Sequence, residues 1–180
     1  MTQLVQIKDR QFVRFISEEK IVDAIRRIAA QMEADLKDLQ PLFVCVLKGA
    51  FMFSSDLLKL LDFPCEITFV RLKSYEGTIA GSRVEEIQGL VEDVENRHVV
   101  ILEDIIDTGR TVASLLVRMS ALKPASVRVA ALFFKPDAMV EDVRPDYAAI
   151  VIPNDFIVGY GLDYDGWGRN LKHVYRLKET

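Results

Sequence analysis

Cysteine is scarce in this chain: Cys45 and Cys65 are the only two among 180 residues. Both fall in apolar, strand-like runs. They read as reduced core residues of a cytoplasmic protein rather than a disulfide framework. Histidine is equally rare. His98 and His173 have no partner at metal-ligand spacing and no Cys–His pair exists, which argues against a zinc site. An excess of basic charge is also missing: the net charge is −4 and the sequence pI about 5.3. That disfavours a nucleic-acid partner. No apolar run approaches transmembrane length, and Met1-Thr2-Gln3-Leu4 lacks a signal-peptide pattern. No membrane partner and a cytoplasmic location are therefore expected. The Walker pattern G-x-x-x-x-G-K-[ST], the dinucleotide pattern G-x-G-x-x-G and the hydrolase elbow G-x-S-x-G are all absent. So are internal repeats, low-complexity tracts and linkers.

What is present is a globular composition, 50% hydrophobic and 28% charged, in a length that suits one domain with a sizeable core. The chain is organised around Val99-Val100-Ile101-Leu102-Glu103-Asp104-Ile105-Ile106-Asp107-Thr108-Gly109-Arg110-Thr111. An apolar run enters a pair of carboxylates, a polar turn follows, and Val112, Leu115, Leu116 and Met119 then mark one face of a helix. In an open parallel sheet, ligands collect at the carboxyl ends of strands, where such turns lie. Gly109 lets the backbone approach closely. Thr108 and Thr111 supply hydroxyl donors, and the helix start supplies unpaired N–H groups. Glu103, Asp104 and Asp107 would repel a bare phosphate. They suit sugar hydroxyls, a divalent cation or positive charge developing in a reaction. The plainer alternative makes Asp107 a helix cap.

The rest of the chain alternates strands and helices, which predicts a three-layer α/β domain with a mostly parallel sheet. Residues 1–16 suggest a short edge strand or an arm. Ser17 caps a helix reaching about Lys37, with Ile21, Ile25, Ile28 and Met32 on one face. Leu42 to Leu47 is a strand covered on both faces, and Ala50 to Leu61 a helix with Phe53, Leu57, Leu60 and Leu61 inward. Glu66 to Lys73 reads as a strand, Ser74 to Arg83 as a loop or open hairpin, and Ile87 to Val91 as a returning strand. Val127 to Phe134 and Tyr147 to Ile152 complete the sheet. The tail from Phe156 to Tyr164 is rich in glycine and aromatics and reads as irregular. The two chain ends are expected to form a small cap, or hood, over the sheet's carboxyl edge. The division is a core of about 36–152 and a hood from about 1–16 and 153–180. On their own, Lys48-Gly49, Lys135 and Arg169 fit ordinary turns or surface positions as well as a site. Phe156, Tyr160, Tyr164 and Trp167 fit simple packing.

The stretch from Glu103 to Thr111 resembles the phosphoribosyl-pyrophosphate signature of the type I phosphoribosyltransferases. Its form Glu-Asp-Ile-Ile-Asp-Thr-Gly is similar to the hypoxanthine-guanine branch. Leu47-Lys48-Gly49, Arg71-Leu72-Lys73-Ser74-Tyr75 and Phe156 to Tyr164 match in the expected order. Arg110 stands where many relatives have Lys or Leu, and residues 77–88 depart in length and content. The resemblance implies the type I phosphoribosyltransferase fold and a purine salvage reaction. In that reaction a 6-oxopurine base and phosphoribosyl pyrophosphate give IMP or GMP and pyrophosphate, with magnesium. It also implies the residue roles. Glu103 and Asp104 would hold the ribose hydroxyls and organise magnesium. Asp107 would be the base acting at purine N7, and the turn Asp107, Thr108, Gly109, Arg110, Thr111 would bind the 5′-phosphate. Lys48, Gly49 and Arg169 would bind pyrophosphate. Lys135 would contact purine O6, Phe156 would stack on the ring, and Ile157 and Asp163 would meet its lower edge, Asp163 also meeting a second magnesium. Ser74 and Tyr75 would lead a lid. A cis peptide is implied between Leu47 and Lys48, and a homodimer or homotetramer is expected. A regulator on the same fold, sensing phosphoribosyl pyrophosphate or nucleotides and binding nucleic acid, is the alternative.

Overall fold

A computed structural model describes residues 4–75 and 83–178. The chain opens with strands β1 (Leu4–Ile7) and β2 (Arg10–Ile16), a hairpin pairing Leu4 with Val13. Helix α1 (Glu18–Leu36) starts at Ser17, whose hydroxyl accepts from the Lys20 N–H at 3.5 Å. Its stripe of Ile21, Ile25, Ile28 and Met32 is buried, as the spacing predicts. Strand β3 (Leu42–Leu47), helix α2 (Phe51–Leu58), strands β4 (Glu66–Tyr75) and β5 (Arg83–Gln88) follow. Then come β6 (His98–Ile106), α3 (Arg110–Ala121), β7 (Ser126–Phe134) and β8 (Tyr147–Val151). The tail adds β9 (Ile157–Val158) and β10 (Val174–Leu177).

The main sheet has the order β5-β4-β3-β6-β7-β8. Its neighbours are parallel except β4 with β5. The period of two sorts each strand's side chains between two cores. Phe43, Val100, Leu102 and Leu132 pack with α1 and α2. Leu42, Val44, Ile101 and Val129 pack with Val112, Leu115 and Met119 of α3. Strands covered on both faces carry continuous apolar runs for this reason. A second, antiparallel sheet, β1-β2-β10-β9, joins the two chain ends around Phe12, Val158 and Tyr175. No helix among the described residues is long and apolar enough to cross a membrane.

Several expectations change. The N-terminal arm is a full hairpin, stabilised by a partner strand from the opposite chain end. Helix α2 stops at Leu58: Leu60 and Leu61 bond back three residues instead, and Leu60 is exposed. The returning strand is Arg83–Gln88, not Ile87 to Val91, and Val91 faces solvent at 88% exposure. The tail is less irregular than its glycines suggest, since β9 and β10 extend the hood sheet. Of the expected lid, Tyr75 pairs with Arg83, while residues 76–82 lie outside the described residues.

Candidate active site

Glu103 and Asp104 lie within β6, which continues to Ile106 before the turn begins. Adjacent residues of a strand point to opposite faces, yet both are drawn into the site end of the sheet. Glu103 is 5% exposed. Burial pushes its carboxyl well above the ordinary range, and the neighbouring Asp104 charge adds to the effect. Asp104 is pushed up to about 6, chiefly by burial. The Ile105 N–H, donating to Asp104 Oδ1 at 2.8 Å, and the Arg169 charge oppose that rise. The pair is thus held in a place where negative charge is under-compensated.

The turn after β6 is shaped by Gly109, whose φ is +80° and which occupies the cap position of α3. Its C=O accepts the first helical bond, from Ala113 N–H at 2.9 Å. Asp107 lies two residues before that cap position. Its carboxylate instead accepts from Lys135 Nζ at 2.8 Å, where the Lys135 side chain is 5% exposed. The plainer reading of Asp107 as a helix cap is thereby removed. Residues at the ends of neighbouring parallel strands are brought together because Ile106 pairs with Phe134.

From the other side, Gly49 follows β3 so closely that a Cβ there would overlap the Asp104 carboxylate. The Leu47–Lys48 peptide is cis, as the resemblance implies. The tail supplies Asp163 and Arg169, which form an ion pair. Arg169 also donates to the Gly161 C=O at 2.7 Å, and Asp163 accepts from the Gly166 N–H at 2.6 Å. Together these groups enclose a cleft of about 300 Å³, lined by Leu47, Gly49, Glu103, Asp104, Asp107 to Thr111, Asp163 and Arg169.

Other expected site residues stand at its margins. The Lys48 side chain is exposed and borders a neighbouring, more apolar recess of about 460 Å³ with Phe51 and Trp167. Ile157 is buried in β9. Phe156 is 47% exposed and meets Tyr164 edge-on, with ring centroids 6.0 Å apart. Ser74 and Tyr75 end β4.

Sequence reasoning missed the supports of the site. The Val140 and Glu141 N–H groups both donate to the Thr108 C=O, at 3.0 and 3.1 Å, and Met139 packs against Gly109. The hairpin turn between β1 and β2 reaches the tail: Asp9 accepts from the Tyr164 hydroxyl at 3.0 Å, Lys8 pairs with Asp165, and Arg10 lies 5.2 Å over the Tyr164 ring. Only the tail's glycine and aromatic content signalled such contacts.

Glu103, Asp104 and Asp163 are hard oxygen donors, which fit magnesium. No group of three His, Cys, Asp or Glu side chains converges as a complete cage among the described residues. Magnesium is commonly held by one or two carboxylates together with substrate phosphates, so this donor set fits an ion that arrives with its substrate.

Residues 16–165 match the phosphoribosyl transferase domain. A hypoxanthine-guanine phosphoribosyltransferase of Streptococcus thermophilus is 42% identical over 173 residues, 96% of each chain. A solved hypoxanthine phosphoribosyltransferase of Staphylococcus aureus superposes with a TM-score of 0.88 at 35% identity, covering 92% of this chain and 90% of that one. The hypoxanthine phosphoribosyl transferase of Trypanosoma cruzi gives 0.88 at 31% identity, over 97% and 95%. With this domain match over residues 16–165 and relatives at 42% identity over 96% of the chain, the chain belongs to the phosphoribosyltransferase family, in its hypoxanthine-guanine branch.

Proposed function

We propose that this protein transfers the 5-phosphoribosyl group from phosphoribosyl pyrophosphate to hypoxanthine or guanine, releasing pyrophosphate, as a purine salvage enzyme. The observation that carries the reading is the buried Glu103 and half-buried Asp104 lining one cleft with the Asp107–Thr111 turn and Arg169. Departure of pyrophosphate leaves oxocarbenium-like charge at ribose C1. Carboxylates beside the sugar stabilise that charge most where water is excluded. The turn from Asp107 to Thr111 presents backbone N–H groups and hydroxyls to the 5′-phosphate. Gly49 and Arg169 face the leaving group, with Lys48 beside them. Glu103, Asp104 and Asp163 would hold magnesium, which enzymes of this family use with phosphoribosyl pyrophosphate and which would supply positive charge to the leaving group.

The Asp107–Lys135 pair supports the choice of base. On a 6-oxopurine, O6 and N7 are neighbours on one edge. A donor-only ammonium suits O6, and a carboxylate suits the proton on N7. Phe156 would cover the ring, and Ile157 and Asp163 its far edge. Ser74 and Tyr75 lead the lid that keeps water from the cation.

The protein is cytoplasmic in this reading. It assembles as a homodimer or homotetramer, supported by exposed apolar side chains at Phe51, Ile67, Phe69 and Trp167. No observation favours a nucleic-acid-binding regulator. The test is nucleotide formation from hypoxanthine, guanine, xanthine, adenine and uracil in turn, with phosphoribosyl pyrophosphate and magnesium. IMP and GMP are the expected products. Salt-dependent binding of RNA or DNA without turnover would favour the regulator.

A further inference from the structure

We propose that the hydrogen bond from the Tyr160 hydroxyl to Asp56 is a clamp that fixes the spacing between Gly49 and Arg169, making Tyr160 a positioning residue for pyrophosphate. This rests on the assignment of Gly49 and Arg169 to the pyrophosphate subsite.

Tyr160 is 2% exposed, and its φ is +50°. It stands between Gly159 at +102° and Gly161 at +99°. Three consecutive left-handed residues cannot continue a strand or a helix, so this turn is held by its own contacts. Gly159 and Leu162 exchange two backbone bonds of 3.0 and 3.1 Å. Tyr160 N–H donates to the Leu171 C=O at 2.7 Å, and Gly161 N–H to the Arg169 C=O at 2.9 Å. The Arg169 guanidinium returns a bond to the Gly161 C=O at 2.7 Å. Gly161 and Arg169 are therefore one unit.

That unit rests directly on Gly49. A Cβ at Gly161 would overlap the Gly49 carbonyl. Gly49 leads into α2, and Asp56 lies on that helix. Asp56 Oδ2 accepts from Tyr160, and Oδ1 accepts from Lys59 Nζ at 2.6 Å. Burial, then the Asp56 carboxylate, raises the Tyr160 phenol, so it stays protonated and remains the donor. One side-chain bond thus ties the element bearing Arg169 to the element that follows Gly49. Packing alone would be satisfied by Phe. The hydroxyl matters because small misplacements of binding groups carry large kinetic penalties.

The experiment compares Tyr160→Phe, Asp56→Ala, Asp56→Asn and Arg169→Gln in the full chain. Steady-state kinetics are measured for both substrates, and titration calorimetry uses magnesium and pyrophosphate. Tyr160→Phe should raise KM for phosphoribosyl pyrophosphate and Kd for pyrophosphate by about tenfold, leaving KM for hypoxanthine within about twofold. Asp56→Ala should match it, while Asp56→Asn, which keeps an acceptor oxygen, should restore binding. The Tyr160→Phe/Asp56→Ala double variant should be no worse than either single. Unchanged pyrophosphate binding in Tyr160→Phe, or an equal rise in both KM values, would overturn the clamp. If Tyr160→Phe does not fold, the difference between Asp56→Ala and Asp56→Asn decides the matter. Arg169→Gln separates the two ideas. If it leaves pyrophosphate affinity intact, the subsite assignment fails. If it weakens binding and Tyr160→Phe does not, the clamp alone fails.

Discussion

The half of the cleft from Glu103 to Thr111 is continuous in sequence, and its geometry comes from the backbone of one strand, one turn and one helix start. The half facing it, from Phe156 to Arg169, has little regular structure of its own. It is held by contacts from far away: Asp9 and Lys8 in the hairpin and Asp56 in α2. The first half is embedded between two hydrophobic cores, so Glu103 and Asp104 are desolvated. The second half is buried from Ile157 to Leu162 and is held by side-chain bonds to other elements. The desolvated carboxylates therefore sit on the sheet, and the Asp163–Arg169 ion pair sits on the tail.

Breaking the sheet half should have the largest effect. Asp107→Asn is expected to lower turnover by about 10²–10⁴, the usual range for a general acid–base group, with little change in phosphoribosyl-pyrophosphate binding. Single-turnover and binding measurements on one preparation check both parts, and near-normal turnover would remove Asp107 from the chemistry.

A second test concerns the field itself. The folded-state carboxyls of Glu103 and Asp104 are raised above their unfolded values of about 4. Protonation therefore favours the folded state. The stability linked to it is fully present below about pH 4 and is lost as pH rises through the folded value, about 6 for Asp104 and well above the ordinary range for Glu103. Wherever both groups are charged, the pair opposes folding. Glu103→Gln should then be more stable than the parent at high pH, a gain that shrinks as the pH falls toward 4. Denaturant midpoints across that range measure it. A variant less stable at pH 8 would mean that the charge is better compensated than its burial implies.

The smallest effect belongs to the outer support of the tail. Asp9→Asn weakens the exposed contact with Tyr164, and exposed pairs contribute little. It should change kcat/KM by no more than about two- to fivefold, all of it through the KM for phosphoribosyl pyrophosphate. A change in turnover would show that the hairpin reaches the chemical step.

The sheet half was readable because its signals are local. Apolar runs, the acidic pair, Gly109 and the helical stripe of Val112, Leu115 and Met119 all act within a few residues of themselves. The same holds for Ser17 and the face of α1. What was not readable depends on pairing across the chain. The hairpin at residues 4–16 becomes a sheet only through β10, and Phe156 to Tyr164 looked irregular because β9 is fixed by β10. The Lys135–Asp107 bond, joining residues 28 apart, needs the parallel register of β6 and β7, which no local pattern encodes. The segment that buttresses Thr108 likewise carries no motif.

The most direct test of the account is the ratio of kcat/KM for hypoxanthine to that for adenine, in the parent protein and in Lys135→Met. An ammonium group offers only donors. It pairs with a 6-oxo group but sets donor against donor at a 6-amino group, keeping only Asp107 as partner, a mismatch that can discriminate by about 10⁴–10⁵. The account predicts a ratio of that order for the parent and its collapse in Lys135→Met, chiefly through loss of hypoxanthine activity. Use of adenine within tenfold of hypoxanthine by the parent protein would contradict it.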